Sequence, residues 1–353
     1  GEFTRRVSFL ATSGTTYQVA VDGYGGALGD IRLNGRLIEL GDFLYATDFE
    51  TFSQGAGEVV GTDGWRGERV NNEVQGIING LGGSGNAAYL GFLTPTNRYA
   101  GVFRTLNFDP VAQGRPIVSF SVEVGVFDST NDRYDIFAVS VYNRTGQYLA
   151  GIWFDNFDLK IFGVNGTSSR FETGVKFTSE LLFRLEGAID FSANTWSATY
   201  GGIPLFENKP FNVDGRKLDL GDISFEWYVD NQDPAKAGDN FLLIDNYSVS
   251  ASSGFKPPVI VFQPESQTAR SGDVALFSVS ATGTLPLKYQ WFLDGNALAG
   301  QTNSFLFLFD IQSKDAGSYT VAVRNSSGTL TSAPATLTIS QASAVPIQIG
   351  IKL

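Results

Sequence analysis

Two pairs of carboxylates are spaced for acid–base work. Glu186 and Asp190 lie in RLEGAID, and Glu226 and Asp230 lie in FEWYVDN. A separation of four residues puts both members of a pair on one face of a strand, where a proton donor and a proton acceptor could meet one substrate. Oxygen-rich stretches offer a second kind of site. DSTNDRYD at 128–135 and DNQDPAKAGDN at 230–240 collect the carboxylates and amides that calcium prefers, although the same residues also cap ordinary turns. Other chemistries are closed. With His 0 and Cys 0, the chain has no thiol nucleophile, no Ser-His-Asp relay and no imidazole for catalytic zinc.

The elements that must position these groups are strands. RPIVSFSVEVGVF, RYDIFAVSVYN, YLAGIWFD, LKIFGVNG, SELLFRLEGAID and TWSATYGGIPLF alternate with period two, and no stretch shows a helical period. The chain of 353 residues holds 29 phenylalanines and 41 glycines, which suits large buried side chains on strands joined by tight turns. The expected fold class is all-β, with more than one domain. A net charge of −11, scattered along the chain, repels nucleic acid and anionic lipid surfaces. No apolar run approaches the roughly 18–20 residues that a membrane-spanning helix needs. The absence of methionine suggests a piece of a longer polypeptide.

Three stretches carry resemblances. TYQVAVDGYGGALGDIRL resembles the last strands of small β-sandwich domains repeated in large bacterial surface proteins, so residues 1–36 are expected to close a preceding β domain. LEGAIDFSANTWSATYGGIPL, with its Asp-Phe-Ser-x-Asn turn and Gly-Gly hairpin, resembles the late hairpins of the concanavalin A-like lectin/glucanase sandwich, also called laminin-G-like. Residues 37–252 are then expected to form one antiparallel jelly roll, opened by ATDFETF and closed by FLLIDNYSVS. Residues 253–258 make a proline-stiffened linker.

The third stretch, DAGSYTVAV after YQWFLDG, resembles the F and C strands of an immunoglobulin-like domain at residues 259–340. The resemblance implies a core Trp291 and a tyrosine corner at Tyr319 beside Asp315. Val279 and Val321 stand where a disulfide usually lies, a crosslink that contributes about 2–4 kcal/mol elsewhere. Phe277, Phe305, Phe307 and Phe309 are expected to supply the replacement burial. Disulfide-free domains of this kind resemble the repeats of bacterial extracellular proteins. Residues 341–353 read as a tail or the start of a further domain.

These resemblances shape the functional expectation. Hydrolases on the concanavalin-like fold carry E-x-D-x-x-E, and no such string occurs. Its lyases use R-x-E with Q-x-H; Arg184 and Glu186 match the first, but there is no histidine for the second. The expectation is therefore non-catalytic. Sugar sites on such sandwiches stack the apolar face of a pyranose on a ring, and Trp65, Trp153, Trp227 and Tyr228 are the candidate rings; a core position is the alternative for each. The resemblance further implies a structural calcium between first and last strands, held by Asp48, Glu50 and Asp245, with solvated turn capping as the alternative reading. Glycan binding or adhesion at a cell surface or outside the cell is the leading expectation. The partners would be a polysaccharide or cell-surface glycan and neighbouring domains, with neither nucleic acid nor membrane insertion. A purely structural stalk, sheath or filament element and a divergent carbohydrate-active enzyme are the alternatives.

Overall fold

The computed structural model describes residues 43–79, 85–92, 98–166, 169–229 and 238–340. The strands expected in 1–36, the tail at 341–353 and Asp230 lie outside these residues. The described chain divides between Gly254 and Phe255 into two compact units, both almost wholly of strands.

The larger unit begins with β1 (Phe43–Thr47), β2 (Gly55–Ala56), β3 (Trp65–Glu68), β4 (Gln75–Asn79) and β5 (Asn86–Gly91). It continues through β6 (Tyr99–Phe108), β7 (Ile117–Phe127), β8 (Ile136–Tyr142), β9 (Tyr148–Asp155), β10 (Lys160–Asn165) and β11 (Ser169–Lys176). β12 (Phe183–Asp190), β13 (Thr195–Tyr200), β14 (Ile203–Pro210), β15 (Leu220–Tyr228) and β16 (Phe241–Ser252) complete it. One sheet of nine strands runs β14-β13-β12-β7-β16-β5-β4-β2, with β1 also beside β16; the other, of seven, runs β11-β10-β9-β8-β15-β6-β3. Its described pairings are antiparallel, and the first strand meets the last, Thr47 opposite Tyr247 and Phe43 opposite Ser250.

One core fills the space between these sheets. Val118, Phe120 and Val122 of β7 and Leu242 and Ile244 of β16 pack with Phe137 and Val139 of β8 and with Ile223, Phe225 and Trp227 of β15. The alternation that sends those β15 residues inward sends Ser224, Glu226 and Tyr228 to the other face of the seven-stranded sheet. That outward row positions the site described below.

The smaller unit holds β17 (Val259–Phe262), β18 (Gln267–Arg270), β19 (Ala275–Ser278), β20 (Ser280–Thr282) and β21 (Lys288–Leu293). β22 (Asn296–Ala297), β23 (Phe305–Leu308), β24 (Gly317–Asn325), β25 (Gly328–Thr331) and β26 (Ala335–Ser340) follow. The main sheet runs β18-β26-β24-β21-β22 with β25 beside β24, while β19 pairs β23 and β17 pairs β20. β18 and β26 run parallel. Trp291, fully buried, stands opposite Val321, and its Nε1 donates to the Asn303 carbonyl at 2.9 Å. The Tyr319 hydroxyl donates to the Asp315 carbonyl at 2.6 Å, closing the tyrosine corner.

Val279 and Val321 are both buried in the same cluster as Trp291, and Phe277 stacks on Tyr319 with ring centroids 4.6 Å apart. The other three phenylalanines do not fill that core. Leu306 is buried, whereas Phe305 is 44% and Phe309 72% exposed, and Phe307 stacks on Phe309 outside. In FLFLFD the two alternating residue types are both apolar, so hydrophobicity leaves the inward face undecided. The leucines take it.

Candidate functional site

Glu226, on the outward row of β15, is 0% exposed, and the groups that bond its carboxyl are not cations. Four hydroxyls converge on it instead. Oε1 accepts from Tyr99 at 2.9 Å and from Tyr142 at 2.6 Å. Oε2 accepts from Tyr228 at 2.8 Å and from Ser140. These donors come from β6, β8 and β15, adjacent strands whose register sets Glu226 opposite Gly101 on one side and Ala138 on the other. Small neighbours make the arrangement possible: a Cβ at Gly101 would lie 2.7 Å from the Tyr99 hydroxyl.

Burial pushes the Glu226 carboxyl up from its ordinary range, and the hydroxyl donors pull it back. Burial, followed by the charge of Glu226, holds Tyr99, Tyr142 and Tyr228 far above the ordinary phenol range. The three phenols therefore stay protonated and remain donors. A carboxylate can accept about four such bonds, so the set is complete.

A depression of about 340 Å³ opens next to this cluster, lined by Tyr142, Tyr148, Trp153, Val164, Gly166, Arg170 and Tyr228. Trp153 of β9 and Tyr228 of β15 form its platform, their rings stacked at 5.4 Å and 28° across the small Ala138 of the intervening β8. Tyr148 packs edge-on to Tyr142 at 5.5 Å and lies over Gly151, where an added Cβ would sit 2.4 Å from its hydroxyl. Tyr148 Oη and Trp153 Nε1 are buried and make no well-formed hydrogen bond, although they lie beside each other and Ser140. Arg170 of β11 lays its guanidinium 3.7 Å from the Phe162 ring centroid and stands 3.9 Å from Asp155.

Asp222 lies further along the same face of β15, and its carboxyl is pushed up to about 7, mainly by burial and further by the charges of Glu226 and Glu68. The Ser224 hydroxyl, donating at 3.1 Å, opposes this. A folded value above the unfolded one means that the stabilising contribution is complete below about pH 4 and is lost as pH rises toward 7. Asp222→Asn is expected to flatten that slope and to raise stability at pH 8 by about 1–2 kcal/mol. Urea unfolding of both proteins at pH 4.5 and pH 8 measures this; parallel pH profiles would refute it.

The structure joins two of the four candidate rings. Trp153 and Tyr228 meet, but Trp227 points the other way because neighbours on a strand face opposite sides. Trp227 is 0% exposed, beside Phe137, and its Nε1 donates to Asp135. Trp65 is likewise a core residue, packed against Phe225 and Tyr247 with Nε1 donating to Tyr45.

The carboxylates expected between the terminal strands do not gather, although β1 and β16 pair. Asp48 caps the Glu50 amide, Glu50 accepts the Asn86 amide and buried Asp245 accepts the Asn246 amide. Among the described residues no group of three or more acidic side chains is placed to hold a metal ion. Asp190 caps the turn after β12 by accepting the amides of Ser192 and Ala193. Asp135 is buried and accepts from Trp227, Gly238 and Asn240.

The model of the immunoglobulin domain family matches residues 257–325, which form an immunoglobulin-like domain. No curated protein matches the chain. Among solved structures, a sialidase aligns over 59% of this chain at 12% identity with a TM-score of 0.43, and the chain spans 19% of its length. Titin domain M7 aligns over 25% of this chain and 98% of its own at 33% identity, with a TM-score of 0.23. A titin M10 complex with obscurin-like 1 aligns over 26% of this chain and 100% of that one at 26% identity, with a TM-score of 0.24.

Proposed function

We propose that the larger sandwich, read as a concanavalin-like jelly roll, binds a glycan without cleaving it on the outer face of its seven-stranded sheet. The immunoglobulin-like domain then acts as a spacer in a multidomain cell-surface or secreted protein. The stacked Trp153–Tyr228 platform beside the depression carries this reading. Such a pair offers flat apolar area to a sugar ring, and the carboxylate of Glu226 holds the Tyr228 and Tyr142 rings in fixed orientations.

Binding is favoured over hydrolysis by the state of Glu226. Both its oxygens are engaged and the residue is fully buried, so no lone pair is aimed at a glycosidic bond. Among the described residues no carboxylate lines the depression, where a hydrolase needs two within about 5–9.5 Å.

Affinity electrophoresis through gels cast with plant, algal and bacterial polysaccharides tests the proposal. At least one polymer should retard the protein, and Trp153→Ala should weaken that retardation about tenfold or more. Free migration through every gel would refute glycan binding.

A further inference from the structure

We infer that the sugar taken by this face carries a carboxylate, bound by Arg170 with Trp153 Nε1 and Tyr148 Oη as further donors. This rests on the glycan-binding reading above.

None of the described residues lining the depression is acidic. Tyr142 and Tyr228 already give their protons to Glu226, whose four acceptor positions are taken. What remains is rich in donors and, among the described lining, holds no anionic acceptor. Trp153 Nε1 and Tyr148 Oη are buried donors that lie beside each other and Ser140 without a well-formed hydrogen bond, and Arg170 adds a guanidinium whose side chain is 45% exposed. Indole and guanidinium can only donate. A buried donor left unpaired is costly, so the complementary ligand brings acceptors, and beside a fixed cation it brings negative charge.

Arg170 is prepared for a planar anion. The Phe162 ring beneath it orients the guanidinium, which leaves its edge for a two-pronged contact with a carboxylate. Its own neighbour Asp155 competes weakly, at 3.9 Å, because that carboxylate also caps the amides of Phe157 and Asp158. Asp214, close to Gly166 at the rim, pairs with Arg216 at 3.6 Å. The nearest acids are thus partly neutralised. A neutral sugar would bring hydroxyl donors as well as acceptors, and among the described lining those donors would find phenol oxygens but no carboxylate. The net charge of −11 adds no long-range attraction for a polyanion, so selection must occur at contact.

The test uses the 353-residue chain in gels containing polygalacturonate, alginate or hyaluronan, each beside its methyl-esterified form, with neutral glucans and dextran sulfate as further arms. One or more of the free acids should retard the protein, and esterification should weaken binding about tenfold, the scale of one charge-assisted contact. Arg170→Gln should cause a similar loss while leaving the melting curve unchanged. Trp153→Phe keeps a ring but removes the indole N–H, and should lose several-fold while Trp153→Ala loses more. Equal retardation by free and esterified polymers, or by neutral glucans alone, would overturn the carboxylate assignment and leave glycan binding standing. Dextran sulfate retarding as well as the best polyuronate would reduce the site to a general anion site and overturn it too. Free migration everywhere would remove both readings together.

Discussion

Glu226→Ala is expected to destabilise the larger sandwich by about 3–5 kcal/mol, because several buried hydroxyls lose their acceptor at about 1–3 kcal/mol each. The substitution strands four hydroxyls, from Tyr99, Ser140, Tyr142 and Tyr228, that now end on one carboxylate. It also empties the space beneath the platform, so the Tyr228 ring loses its fixed position, and the proposed glycan binding should weaken with stability. Glu226→Gln should cost only about 1–2 kcal/mol, because a hydroxyl facing the amide nitrogen can turn and accept. Urea unfolding at pH 7, followed by tryptophan fluorescence, separates the two variants. If Glu226→Ala falls within about 0.5 kcal/mol of the unmodified protein, the scale of an ordinary surface change, the carboxylate does not organise this face.

Trp291→Ala should unfold the immunoglobulin-like domain at 37 °C. Removing a fully buried tryptophan costs about 3–5 kcal/mol, a large share of the roughly 4–13 kcal/mol expected of a domain this size. It also strands the Asn303 carbonyl. No crosslink limits the loss, since buried Val279 and Val321 occupy the place of the bridge. Limited proteolysis at 37 °C reads this directly: cleavage within 255–340 should appear in the variant and not in the parent. Survival of that segment would show that Phe277, Tyr319 and the valines sustain the core without the indole.

These two residues were unequally legible in the sequence. Trp291 and Tyr319 could be read because their frame is local: the tyrosine bonds to a carbonyl only four residues back, and the tryptophan sits in a short run of alternating residues. The strands of the larger unit were legible for the same reason, each announcing itself through its own period of two. The hydroxyl cluster was not. Tyr99 and Glu226 are 127 residues apart in the chain, and they meet only because β6 happens to neighbour β15. Arg170 reaches the depression from β11, four places from β15 in the sheet order. Sequence singled out Glu226 as a possible catalyst, which its burial does not support. The adjacent pair Trp227 and Tyr228 is the sharpest case: the same strand period that identifies them as strand residues forbids them from sharing a site. Only knowing which face meets the other sheet decides between them.

The sense of the outermost strand pairs also fixes how each unit would carry a mechanical load. Phe43 at the start of β1 lies opposite Ser250 near the end of β16, so tension at the two ends of the larger unit acts on the same end of one antiparallel pair. Its hydrogen bonds are met one after another, as in a zip. In the smaller unit β18 and β26 run parallel, Gln267 opposite Leu337 and Arg270 opposite Ser340, so a pull between Gln267 and Ser340 slides the strands along each other and strains all their bonds together. Of these two pairings, the parallel one is arranged to resist and the antiparallel one to yield.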